Sequence, residues 1–153
     1  MNTYILLADS SSARLLRVDG AARKRVLTEI AELRSPAARK LPQELMSDRG
    51  GRVFARARRG RQGPEAATGA ATASDFDPRV TEADRFAARI GRRLDLERRR
   101  LPIDALIIIA APRFLGRIRG KLTSRTHALV QRELARDLVR APDVMVLRAA
   151  FPR

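Results

Sequence analysis

The sequence has no cysteine and no tryptophan, and only one histidine and one tyrosine. Without cysteine there is no disulfide framework and no thiolate zinc site, the usual condition of chains kept in a reducing compartment. A lone histidine, His127, cannot furnish a multi-histidine metal site, and a Ser-His-Asp triad would have to be built around it alone. Long hydrophobic runs are missing too. The longest, Ala105 to Pro112, is strand-sized and far short of the ~20 apolar residues that cross a membrane. The opening MNTYILLADSSSARLL lacks a basic leader and reaches Asp9 after a short apolar stretch, so it reads as a core strand rather than an export signal, and a cytoplasmic address is expected. There is no Walker-type loop and no dinucleotide fingerprint; the GxxG-like spacing at Gly60 to Gly63 has neither strand before it nor helix after it, and no cofactor is expected.

The scarcest class, relative to its opposite, is acid. Seventeen Asp and Glu face 32 Lys and Arg, for a net charge of +15. Only Lys24, Lys40 and Lys121 are lysine, so the excess is carried by arginine, whose planar fork suits bidentate contacts with phosphate. A GC-rich codon bias accounts for much of the choice of Arg over Lys, but not for the missing carboxylates. Self-repulsion at this charge is a cost that an anionic partner relieves, and RNA is the expected one.

What is present fits an α/β fold in a chain of 153 residues, the size of one ordinary domain. Tyr4 to Asp9, Ala13 to Val18 (ending at the turn pair Asp19-Gly20) and Arg25 to Leu33 predict three short antiparallel strands in a meander. In the third, Val26, Thr28 and Ile30 alternate with Leu27, Glu29, Ala31 and Leu33; helix is the competitor there, because Leu, Glu, Ala and Arg all tolerate it. Residues 35–80 lose all periodicity and read as a long, basic, flexible loop inserted in a single 1–153 domain. Thr81 is the expected N-cap of a helix whose apolar face holds Ala83, Phe86, Ala87, Ile90 and Leu94. Ala105 to Ala111 is apolar throughout and predicts a central parallel strand buried on both faces. Pro112 opens a short helix burying Phe114, Leu115 and Ile118, a further helix is expected from Ser124 to Arg140, and Val144 to Leu147 is the expected last strand. The fold class is therefore α/β: a mixed sheet with an N-terminal antiparallel meander, then a long loop, α, β, α, α, β.

Two basic clusters carry the functional expectation. From Arg34 to Gly63 nine Lys or Arg face only Glu44 and Asp48, and the loop interleaves Arg49, Gly50, Gly51, Arg52, Arg56, Arg58, Arg59 and Arg61, so that backbone and guanidinium groups can follow a phosphate chain. Phe54 is its only ring able to stack on a base. The second cluster, Arg113, Arg117, Arg119, Lys121 and Arg125, begins at the carboxyl end of the expected central strand, where ligands commonly sit on α/β sheets. A meander followed by αβα is also similar to ribonuclease H-like nucleases, which need clustered carboxylates for two metal ions; Asp9 could supply one, while the strand IDALIIIAAP supplies none at its carboxyl end.

Several segments resemble a known family. ADSSSARLLRV, ELMSDRGGRVF, EADRFAARI, APRFLGRIRGKL and VQRELARDLV are similar to the bacterial host attachment proteins, or proteins required for attachment to host cells, with Ser47, Asp48, Arg49, Gly51, Arg52 and the run Pro112 to Gly116 the most specific parts. That family in turn looks like the middle domain of archaeal and eukaryotic peptide release factors, whose basic loop carries a Gly-Gly-Gln for hydrolysis of peptidyl-tRNA. Here Gly50 and Gly51 match, but Arg52 stands where the glutamine would be, and it cannot mimic an amide. The resemblance thus implies binding to RNA, tRNA or the ribosome more than ester hydrolysis. The family name itself implies a role in attachment, indirect or as an adhesion component. Self-association into a homo-oligomer is compatible with either.

Overall fold

The computed structural model describes residues 1–35 and 78–153. Its centre is a five-stranded sheet made of β1 (Thr3–Ala8), β2 (Ser12–Asp19), β3 (Val26–Arg34), β4 (Ala105–Ala110) and β5 (Val130–Ala135), in the spatial order β3-β2-β1-β4-β5. The three N-terminal strands pair antiparallel, and β4 lies parallel to both β1 and β5. The Asp19-Gly20 turn closes the β2–β3 hairpin, with Gly20 at φ 88°. A Cβ there would come 2.3 Å from the Lys24 carbonyl oxygen, so only glycine fits.

Strand periodicity sorts the core into two layers. Tyr4, Leu6 and Ala8 of β1 join Leu106, Ile108 and Ala110 of β4 on one face, beneath helices α1 (Pro78–Arg100) and α2 (Pro112–Arg119). Ile5, Leu7, Ile107 and Ile109 point to the other face, where Val146 and Ala150 of helix α4 (Asp143–Ala150) cover them. With both faces covered, β4 is buried at every position, as its unbroken apolar run requires. Helix α1 buries the expected Ala83, Phe86, Ala87, Ile90 and Leu94, and Phe86 stacks on Phe114 of α2 with centroids 5.9 Å apart.

Four features depart from the sequence expectations. A β-bulge shifts the register between Leu15 and Leu16, so Ile30 faces no partner on β2 and packs with Ala31 and Leu33 on the α1 face instead of alternating with them; Leu27 packs on the opposite face. Thr81 does not cap α1: the helix already includes residues 78–80, with Pro78 buried. The helix expected over Ser124 to Arg140 is only the short α3 (Ser124–His127), followed by β5. A helix would have gathered Leu129, Val130, Leu134 and Leu138 into one stripe. In the structure Leu129 and Val130 pack on the α1 face, while Leu134 and Leu138 pack on the α4 face, as a strand allows. The buried edge of β4 decides the matter, since its backbone N–H and C=O groups need a neighbouring strand. Lastly, Val144 to Leu147 lies in helix α4 and not in a strand. Pro142 at its N-cap, Asp143 in its first turn, and Val146 and Ala150 one turn apart on the buried side outweigh the β preference of two valines.

Candidate nucleic-acid interface

Arg113 sits in the first turn of α2, immediately past the carboxyl end of β4. Pro112 starts that helix without needing a backbone N–H partner, and Phe114, Leu115 and Ile118 pin its inner side, so Arg113, Arg117 and Arg119 are left on its outer surface. The turn after α2 presents Lys121 and leads to α3, whose N-cap Thr123 accepts from the Thr126 N–H at 3.2 Å. Gly91 of α1 permits this arrangement. A Cβ on it would meet the Lys121 carbonyl oxygen at 2.4 Å, so the α1 backbone and the α2–α3 turn touch directly.

The cluster is not uniformly free. Asp84 of α1 is shared by Lys121, 3.2 Å away, and Arg117, 3.9 Å away. Arg119 is held by Glu133 of β5, with its Nε donating at 2.9 Å. This pairing raises the guanidinium pKa further above its ordinary value, chiefly through the hydrogen bond to Glu133. Arg113 and Arg125 are exposed and have no carboxylate partner among the described residues. Five cations therefore meet two carboxylates, Asp84 and Glu133, and the face keeps a positive balance. Such exposed pairs are weak, so the cations stay open to a competing anion. The companion residues Arg49, Gly50, Gly51, Arg52, Arg56, Arg58, Arg59 and Arg61 lie outside the described residues.

Behind this face, Asp95 of α1 ties the helices together. It accepts from Arg98 at 2.8 Å and from the Thr123 hydroxyl at 3.1 Å, and it pairs with Arg99 at 3.0 Å. The Arg98 hydrogen bond, helped by Thr123, holds the Asp95 carboxyl below its usual range. Asp9 has an equally local task. Its carboxylate accepts the backbone N–H groups of Ser11 and Ser12 at 2.8 and 2.7 Å and closes the β1–β2 turn. Among the described residues no group of three or more His, Asp or Glu gathers as metal ligands. None of the described helices is long and apolar enough to cross a membrane.

Fold and surface together define a mixed-sheet α/β protein with arginine-dominated faces. The chain belongs to the family described as "Protein required for attachment to host cells", whose model matches residues 4–149. A search of curated proteins found no match.

Proposed function

We propose that the protein binds RNA, as free tRNA or on the ribosome, from a cytoplasmic location, with the basic segment 49–61 contacting the phosphate backbone and Arg113, Arg117, Arg119 and Lys121 forming the supporting face. The observation that carries this reading is the surplus of cations over carboxylates at the carboxyl edge of the sheet, with Arg113 and Arg125 unpaired among the described residues. A phosphate can displace Asp84 from Lys121 at little cost because that carboxylate is half exposed. Neutralising ~6 phosphates gives a log-log salt slope near −5 on duplex and a shallower one on single strands. A salt titration of binding to tRNA and to a ribosome fraction tests the reading; absence of binding at low salt, or affinity that does not change with salt, refutes it.

Family membership favours a second reading, a role in attachment to host cells. Such a role is direct if the protein reaches the cell surface, and indirect if it acts on adhesin or polysaccharide production from inside. Cell fractionation separates the two. A third reading, peptidyl-tRNA ester hydrolysis, has against it Arg52 in the glutamine position; it requires that Gly51→Ala abolish turnover while the fold survives.

A further inference from the structure

At the opposite edge of the sheet, by the amino ends of β1, β4 and β5, an open cleft of about 1430 Å³ is lined by Arg23, Arg25, Arg132, Arg148 and Arg153 and by no Asp or Glu side chain. These arginines come from the β2–β3 turn, β5, α4 and the residues after it, so they converge only in the folded chain. Arg132 is opposite Ile107 in the β4–β5 register and therefore points to the α4 side, where its Nη1 donates to the Ala150 carbonyl at 2.7 Å. Arg25 donates to the Ala22 carbonyl at 3.2 Å and stacks on Phe151, its guanidinium carbon 3.9 Å from the ring centroid. Each of these two is thus aimed by one carbonyl and keeps most of its five N–H donors for something else. Arg23 and Arg148 have no partner at all among the described residues.

Several arginines elsewhere are neutralised within the fold. Arg14, Arg17, Arg34, Arg85, Arg93 and Arg98 each reach a carboxylate within 3.1 Å. Among the described residues the five cleft guanidinium groups reach no carboxylate, and facing the same space they repel each other until an anion enters. The floor is not purely polar: Ile107, Leu147 and Phe151 offer apolar and aromatic surface beside the charges. A ligand matching both halves carries several phosphate oxygens and a planar, weakly polar group, and the stacked Arg25–Phe151 pair provides a flat surface for the latter.

We infer that this cleft is a binding site for nucleotide phosphates, distinct from the carboxyl-edge face and independent of the RNA reading above. The same chemistry is offered by a free nucleoside polyphosphate and by a nucleotide at the end of an RNA strand. The test uses fluorescently labelled ADP and a short 5′-labelled single-stranded RNA, each titrated against the intact protein. Arg23→Ala combined with Arg148→Ala is the informative variant, because neither side chain holds any described part of the fold together. Arg92→Ala, an exposed arginine of α1 that belongs to neither basic face, serves as the control. Saturable ADP binding weakened at least about tenfold by the double variant and unchanged in the control supports the site with a free nucleotide as ligand. The same pattern with the oligonucleotide alone supports it with a strand end. Absence of saturable binding of either probe, or binding that the double variant leaves intact, overturns it. RNA binding lost in Arg113→Ala but kept in the double variant, together with ADP binding that is absent or that the double variant leaves intact, overturns the cleft while sparing the carboxyl-edge interface.

Discussion

Gly91 lies in the interior of a 23-residue helix, where glycine is about 1 kcal/mol less favourable than alanine, so on propensity alone Gly91→Ala should stabilise the protein. The structure reverses the sign. The added Cβ would sit 2.4 Å from the Lys121 carbonyl oxygen, 3.1 Å from its carbonyl carbon and 3.3 Å from its Cβ. Two of those atoms are backbone and cannot swing away, so α1 and the α2–α3 turn must separate. Overpacking of this kind costs typically 1–3 kcal/mol, and the upper end applies against backbone. About 3 kcal/mol lost against about 1 gained leaves a net loss near 2 kcal/mol. For a chain of this size that is a fall of roughly 8 °C in Tm. Gly116→Ala is the internal control, since nothing lies within 4 Å of a Cβ there and the residue is exposed on α2. It should stabilise by about 0.5–1 kcal/mol. Differential scanning calorimetry of both variants settles the matter. A Gly91→Ala protein as stable as the parent would mean that the α1 contact with the Lys121 carbonyl is not made.

The depressed Asp95 carboxyl makes a pH prediction. Because its folded pKa lies below its unfolded one, its stabilisation is present above the ordinary carboxylate range and is lost as pH falls through the folded value. Asp95→Asn should therefore lower stability at neutral pH and flatten the acid limb of a Tm-against-pH curve; an unchanged limb argues against the network. Ile108 is fully buried in β4, so Ile108→Ala should cost about 2–5 kcal/mol in urea unfolding, and a cost under 1 would mean that β4 is not central. Asp84→Ala removes two exposed ion pairs for less than about 1 kcal/mol of stability. If the carboxyl edge binds RNA, the same change should tighten binding and steepen the salt slope by about one, whereas weaker binding would place the RNA elsewhere.

The elements legible in the sequence were those whose apolar pattern is self-sufficient. β4 is apolar at six consecutive positions and α1 repeats its apolar residues with helical spacing, so neither needs a neighbour to declare itself. β5 and α4 depart from the sequence expectation in opposite directions for one reason. Both are amphipathic segments whose type is set by what they dock against: the VQRELA segment completes the sheet at β4, and the DVMVLRAA segment roofs the face carrying Ile107 and Ile109. The bulge at Ile30 was invisible because it depends on the pairing with β2. The charged surface followed the same rule. The local run Arg113 to Arg125 stands out in sequence, but its partners Asp84 and Glu133 come from other elements. The amino-edge arginines run from residue 23 to residue 153 and never form a cluster along the chain.

The placement of carboxylates separates the two edges physically. Along α1 the acids alternate with arginines at helical spacing, as in Glu82 with Arg85, Asp95 with Arg98 and Arg99, and Glu97 with Arg93 and Arg100, so much of that helix's charge is neutralised within itself. Glu97 is only 3% exposed, and burying a carboxylate carries a desolvation cost that such partners offset. These pairs belong to the fold, and mutating them should register in stability before it registers in binding. Arg113, Arg125 and the cleft arginines have no carboxylate to neutralise them among the described residues. Substituting Arg113, Arg125, Arg23 or Arg148, whose side chains hold no partner among the described residues, should leave Tm nearly unchanged and move affinity for anions instead. The division between the two sets of arginines thus converts a compositional oddity, the +15 charge, into a residue-by-residue distinction that thermal melts and titrations of the same variants can test.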